Sequence, residues 1–527
     1  MRSEIPNSWQ SSSYTTAMTA VVLTLGLLGA MVAGYGAARG NLVVGVAAVA
    51  LLGGILLSLF PVIVLWVALG VGLLGAGVAK LYVPALAEIR WLVVPLGAVL
   101  VMHVIFRGLA SDRQGDAWQR GMVPILWWTA GVFSVAVLAT LVNSPEPLQM
   151  IRGLKGYFQV WGVLLGLALL AWPDDLMRRR LPQFLLVVAL FQLPFVVHQF
   201  LVLVPKRAAM HIDGLVPVDV IAGTFGAQVD GGGANSMLAA FMFVVLAGLT
   251  ALWQKGVLST RWLAGLGILL MAPMFVNGAK VSLVYALVLF LVLFGKELLN
   301  RPLRFISVGL VVTLALAVML FAYSVGLENK RVNSWPDLVS DIYQTNFGVD
   351  HQARGTFTRG GALRYWAEQH IPGDLYGAVL GHGLYESRHD EGGVDLWNTS
   401  DPSLGIKNTA VSAILWDAGL LGLVAVFGLV IAGYLTAGRL SRRYGDDAWM
   451  AGLFLGARAA MAIIFVSLWV KSYFGYQIAY QTMLVVLLGW LAYWDRRKRV
   501  TSAPFDRSDS VLESLERYEQ DIKKTGT

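Results

Sequence analysis

Three arginines, Arg354, Arg359 and Arg364, fall within eleven residues of one polar stretch. A guanidinium presents a fixed fork of donors that matches phosphate or pyrophosphate oxygens. One arginine in such a stretch can equally be a surface ion pair, whereas three so close together point to an anionic ligand. Lys280 adds a cation in a sharper setting, MAPMFVNGAKVSLVYALVLFLVLF. With apolar runs on both sides, its ammonium faces protein, faces a wet cavity, or snorkels to the membrane interface. Lys206 and Arg207 follow Pro205 beyond the apolar run that holds His198. They read either as snorkelling side chains or as an electropositive rim for phosphate. The segment from Gly223 to Asn235, GTFGAQVDGGGAN, is glycine-rich and opens the next apolar run. Its backbone N–H groups are able to approach an anion at a helix start.

Further candidates follow in the same polar stretch. Residues Gly361 to Gln369 carry a helical pattern, with Arg359 at its start and Trp366 and Tyr365 beside Arg364. Gly381-His382-Gly383 is a tight turn that can carry an imidazole inward, although a lone loop histidine is weak evidence for chemistry. Lys407 and Asn408 stand at the mouth of the apolar run that follows. Asp417 lies about two and a half turns deeper, where a carboxylate is costly unless paired. Arg458, in LFLGARAAMAIIFV, is the candidate partner, and a structural ion pair holding two helices in register is the preferred account of both.

The elements that position these residues are membrane helices. The 527 residues are 57% hydrophobic and only 14% charged, and the mean hydropathy is +0.66. A soluble domain carries about 25% charge. Apolar runs long enough for a hydrocarbon core of about 30 Å recur up to Trp494. The expectation is an all-α polytopic integral membrane protein with 12–14 transmembrane helices and one long periplasmic loop containing short helices. Its parts are a cytoplasmic N-terminus (1–16), N-terminal helices (17–204), central helices with a periplasmic re-entry loop (205–324), the long loop (325–408), C-terminal helices (409–494) and a charged cytoplasmic tail (495–527).

Net charge is +8, but the basic residues gather in short loops: Arg178–Arg180, Arg301/Arg304, Arg439/Arg442/Arg443 and Arg496–Arg499. That is the positive-inside pattern rather than a nucleic-acid footprint. It puts 205–233, 277–280, 325–407 and Lys471 on the outer side. The chain has no cysteine, so disulfides and thiolate metal sites are excluded. No metal and no cofactor is expected. The first apolar run lacks a compact signal-peptide plan and reads as a retained span.

Several of these features, taken in order, resemble the bacterial O-antigen ligase and Wzy-type polysaccharide polymerase superfamily of membrane glycosyltransferases. Gly223-Thr-Phe-Gly with Ala234-Asn235-Ser-Met-Leu-Ala239 is similar to its glycine-phenylalanine turn followed by asparagine and leucine-alanine. Asn277 to Ser282 resembles its serine-arginine-glycine segment, with Lys280 where arginine is frequent. Thr358-Arg359 through Trp366, and then Leu380 to Gly383, resemble the arginine before a tryptophan helix and the glycine pair after it. Lys407-Asn408 through Gly422 resembles the histidine-asparagine start and glycine-leucine close of the next span.

The resemblance implies a metal-independent glycosyl transfer at the outer face of a bacterial inner membrane. The donor is an undecaprenyl-pyrophosphate-linked glycan whose first sugar is attacked by an acceptor hydroxyl. It assigns Lys280, Arg359 and Lys206 or Arg207 to the pyrophosphate, with Arg354, Arg364, Asn235, Asn408 and Trp366 as substrate contacts. Lys407 stands where the family often has histidine; protonated it is no general base, so as a catalytic residue it either binds phosphate or acts as a base with its pKa lowered by burial, and His382, His389, Asp390 or Glu391 are the other candidates for the base. Polymerisation of repeat units for a secreted polysaccharide is the leading expectation and ligation to an acceptor the alternative. A lipid-linked oligosaccharide transporter and a non-catalytic scaffold subunit are the other classes. Membrane lipids, and chain-length regulator or export proteins, are the expected partners.

Overall fold

Inside a bilayer there is no water to satisfy backbone N–H and C=O groups, so an apolar chain closes them within helices. The computed structural model describes residues 59–110, 122–143, 147–210, 216–229, 234–300, 357–391 and 406–497, with single helical positions at 31, 336, 340, 343 and 346. The described residues form helices and connecting turns, with no strand among them.

Eight helices are long and apolar enough to cross a membrane: α1 (Pro61–Tyr82), α2 (Pro84–Phe106), α3 (Pro124–Asn143), α6 (Leu176–Ala208), α7 (Asn235–Gln254), α9 (Ser282–Asn300), α12 (Ala410–Arg443) and α13 (Ala448–Ser467). Between them lie α4 (Pro147–Phe158), α5 (Trp161–Leu169) and α8 (Thr260–Val276). The polar stretch contributes α10 (Arg359–His370) and α11 (Leu375–Leu380), and α14 (Ile478–Arg496) closes the bundle. These helices fit a multi-pass membrane protein. The expected runs at 17–38, 42–59 and 304–324 lie outside the described residues. The run at 157–172 holds only the nine-residue α5, too short at about 1.5 Å per residue to cross a bilayer alone.

Packing explains which helices are central. α7 and α14 are apolar on nearly every side and buried on nearly every side, so they form the middle of the bundle. α7 packs along α13, α13 along α12, α12 along α3, and α14 along α5. Local signals set the ends. Thr409 and Ser412 form a reciprocal capping box at the start of α12, and Asp447 accepts from the Met450 N–H to cap α13.

The two ends of the bundle differ chemically. At one end Arg178 pairs with Asp447, Arg439 with Asp495 at 3.1 Å, and Arg497 with Asp174. The other end carries the turns at 216–229, 277–281 and 468–477 together with α10 and α11.

α12 is interrupted at Gly419, whose φ of 63° and ψ of −164° lie outside the helical range. A Cβ there would come within 2.3 Å of the Val379 carbonyl oxygen, so only glycine fits. Gly381 meets the break from the other side, with φ of 72° and no room for a Cβ beside Ala418 N. The broken helix frees carbonyls that the facing turn uses. His382 N–H donates to the Trp416 oxygen at 2.8 Å, and Gly383 N–H to the Asp417 oxygen at 3.0 Å.

Candidate functional site

The site is built from three turns at the second end. In the first, Asn277 at the close of α8 is clamped to the start of α7. Asn235 Nδ2 donates to the Asn277 carbonyl at 3.2 Å, and Asn277 Nδ2 donates back to the Asn235 carbonyl at 3.3 Å. Asn277 Oδ1 accepts from Ala279 N–H at 3.0 Å, which shapes the turn that carries Lys280. Asn235 also donates to Asp219 Oδ1 at 2.9 Å, tying in the short turn Pro217–Val220. One asparagine thus joins three chain segments.

Cations converge on Asp219. Lys471, Arg207 and Lys280 all act electrostatically on its carboxylate. Burial nevertheless raises the Asp219 pKa above the usual carboxylate value, with these cations and Asn235 opposing the rise. Lys471 follows α13 by four residues, and Arg359 is the first residue of α10. The Lys471 side chain is solvent-accessible yet ringed by protein, so it lines a recess rather than a convex surface. Burial, and then the like charge of Arg359, push its pKa down, while Asp219 pulls it up. Arg359 is half-buried, donates to Asn346, and has its own pKa lowered by burial. Two buried phenol hydroxyls, Tyr473 and Tyr285, lie within electrostatic reach of Arg359; Tyr473 reaches Ser236 and the Met237 backbone at the start of α7, whereas the Tyr285 hydroxyl has no hydrogen-bond partner among the described residues. Such orphaned buried groups are rare and ask for a reason.

The structure therefore brings Asn235, Arg207, Lys280 and Arg359 together, and adds Asp219, Lys471 and Tyr473. Other expected residues stand elsewhere. Lys206 and Arg364 are exposed on the surface. Arg354 lies outside the described residues, as do the side chains of Lys407, His389, Asp390 and Glu391. Asn408 donates to the Phe357 carbonyl and so fastens the entry of α10 to the entry of α12. Trp366 is buried and stacks on His370 with ring centroids 5.0 Å apart.

Two expectations are corrected. Of the glycine-rich segment from Gly223 to Asn235, Gly231 to Gly233 lie outside the described residues, and the turn at 223–226 does not offer its first N–H groups to an anion. Gln199 Oε1 accepts from Ala222 and Gly223 N–H at 3.0 and 2.8 Å, and Gln192 Oε1 accepts from Thr224 N–H at 2.7 Å. Both glutamines come from α6 and are fully buried, so the turn is an irregular backbone piece satisfied from a neighbouring helix.

The Asp417–Arg458 pair also does not form. Asp417 accepts from Tyr157 Oη at 2.7 Å, Ser387 N–H at 2.7 Å and Tyr476 Oη at 3.3 Å. Arg458 stacks over Tyr434, 4.5 Å from the ring centroid. Tyr434 is seventeen residues further along α12, roughly 25 Å by helical rise, so the two charges sit at different depths.

His382 belongs to a second cluster, at the far end of α10 from Arg359. Its Nε2 lies 2.7 Å from His370 Nε2, and His370 Nδ1 lies 2.7 Å from the Trp366 carbonyl. Burial first, then the neighbouring His370, lower the His382 pKa, while Asp374 and Glu386 raise it. Eleven residues of α10 separate Arg359 from His370, roughly 16 Å.

No protein-family model matches the chain, and no curated protein matches it.

Proposed function

We propose that the protein is a glycosyltransferase that polymerises undecaprenyl-pyrophosphate-linked oligosaccharide repeat units at the periplasmic face of a bacterial inner membrane, for a secreted or surface polysaccharide. The observation that carries this reading is the recess in which Lys471 and Arg359 are close enough to repel, with Lys280 and Arg207 acting on the same Asp219. Holding like charges together in a partly desolvated recess costs free energy, which a polyanionic ligand reverses. The resemblance names the anion as a lipid pyrophosphate. The paired basic loops at the opposite bundle end support a periplasmic orientation for the recess, by the positive-inside rule.

In this reading the acceptor hydroxyl oxygen attacks the anomeric carbon of the donor's first sugar. The bond from that carbon to the pyrophosphate oxygen breaks, and the leaving group carries off the electron pair. Arg359, Lys471 and Lys280 meet the charge that develops on it; loss of one such donor costs about 10²–10³-fold in rate. The acceptor proton goes to Asp219, whose raised pKa suits a general base better than that of an ordinary surface carboxylate. The Tyr285 hydroxyl is a donor held ready for a phosphate or sugar oxygen.

The test uses the purified full-length chain with a lipid-linked oligosaccharide extract, comparing wild type with Arg359→Ala, Lys280→Ala and Lys471→Met. A ladder of longer glycans with release of undecaprenyl pyrophosphate, lost in the folded variants, is the expected result. Release that needs an added, separate acceptor identifies a ligase instead. Movement of the lipid between leaflets with no release overturns the catalytic reading in favour of a transporter.

A further inference from the structure

We propose that His370, Asp374 and His382 form a binding site for one divalent cation of the Zn²⁺ type, which staples α10, α11 and the turn docked on the α12 break. Their ligand atoms, two imidazole nitrogens and one carboxylate oxygen, all lie within 4.8 Å of one another. Two imidazoles and a carboxylate suit Zn²⁺ and its first-row neighbours and leave a fourth position for water.

Each donor is held in a ligating pose by a bond that does not use its ligand atom. His370 Nδ1 points at the Trp366 carbonyl, so its proton belongs on Nδ1 and the Nε2 lone pair faces the cluster. Asp374 caps α11 with Oδ1, which accepts from Gly377 N–H at 2.9 Å, and turns Oδ2 towards His382. His382 is fixed through its backbone N–H on Trp416. The two histidines are almost fully buried while Asp374 keeps partial exposure, which gives an ion a way in.

Binding would draw the donors together, since the widest of the three separations, His370 to Asp374, is as much as 4.8 Å. Ligands about 2 Å from a tetrahedral cation stand about 3.3 Å apart. The His370 and His382 nitrogens at 2.7 Å would open by roughly half an ångström, and Asp374 Oδ2, at 3.9 Å from His382 Nε2, would close by a similar amount. The competing account is a plain imidazole-to-imidazole hydrogen bond with Asp374 serving only as a cap.

This inference is independent of the glycosyltransferase reading, because the cluster lies at the other end of α10 from the cationic recess. The test takes the full-length chain in detergent, strips it with chelator and dialyses it against Co²⁺ or Zn²⁺. Expected are one equivalent of Zn²⁺ retained per chain and the intense visible absorption of four-coordinate Co²⁺. Asp374→Asn keeps the helix cap, because asparagine caps as well as aspartate, yet it should weaken binding by at least the 10–100-fold that follows loss of a supporting group. The His370→Ala/His382→Ala double variant should lose the equivalent altogether. Wild-type protein that retains no ion, or that shows only weakly coloured six-coordinate Co²⁺, overturns the proposal. So does retention unchanged in folded Asp374→Asn.

Discussion

The two ends of this bundle treat positive charge in opposite ways. At the basic-loop end each of Arg178, Arg439 and Arg497 meets one aspartate, and all three arginines keep contact with water. At the other end Lys471 and Arg359 are held within reach of each other, and the nearby Asp219 is shared with Lys280 and Arg207. One arrangement answers charge locally and holds loops together. The other keeps it concentrated, at a cost to the fold, which is the feature that the proposed anion site rests on.

The sharpest way to break this comparison is to remove one cation from each end. Lys471→Met is expected to lower turnover by about 10²–10³-fold, measured as lipid-pyrophosphate release, while the melting temperature holds or rises. The sign follows from linkage. A lysine whose folded pKa is lowered binds fewer protons folded than unfolded, so stability rises with pH between the lowered value and the ordinary lysine value. At neutral pH the charge opposes folding, and the variant is relieved of it. A fall in both turnover and stability would mean that Lys471 is structural, like the arginines at the opposite end.

The next effect concerns the frame. Gly419→Ala forces a Cβ against the Val379 carbonyl in a left-handed backbone and should cost about 1–3 kcal/mol, read by thermal or denaturant unfolding. Asp219 gives a third, pH-dependent signature. Its raised pKa means that the ionised carboxylate opposes folding, so its contribution to stability is greatest below the unfolded value, about 3.9, and is lost as pH rises through the folded value. Asp219→Asn should therefore raise the melting temperature at pH 7 and leave it unchanged near pH 3, while turnover falls at pH 7 and does not differ from wild type near pH 3, where Asp219 is protonated and no longer a base. The smallest effect is at the paired end. Arg439→Met should cost no more than about 1 kcal/mol and leave turnover within twofold.

Much of the frame was legible because apolar runs and their flanking charges obey simple rules. Apart from α4, α10 and α11, the helices fall on runs readable by hydropathy, Lys280 and Asn235 stand out as polar groups at run ends, and Arg359 stands out within the polar stretch. Lys471 was visible as an outer lysine, but a lysine beside a span usually snorkels, and nothing local separates the two cases. Asp219 and Tyr473 sit in short turns with no period, so only the tertiary fold brings them beside the cations. The Asp417–Arg458 pairing failed for a geometric reason. Matching opposite charges on adjacent helices ignores depth, and a break at Gly419 gives Asp417 three hydroxyl and amide donors of its own. The first part of the glycine turn differs likewise, since its Gly223 and Thr224 N–H groups belong to Gln199 and Gln192.

Those two glutamines have a consequence for biogenesis. α6 leaves the ribosome before the 216–229 turn exists, so for a few seconds, at about 5–20 residues per second, two amide oxygens face a bilayer without the turn N–H groups they accept from, although Gln192 Nε2 already reaches the Val188 carbonyl of its own helix. The newborn helix is a poor lipid-facing surface until the chain behind it folds back. A nascent chain arrested at residue 210 should thus be cleared by membrane proteases faster than one arrested at residue 254, and Gln192→Leu with Gln199→Leu should erase that difference.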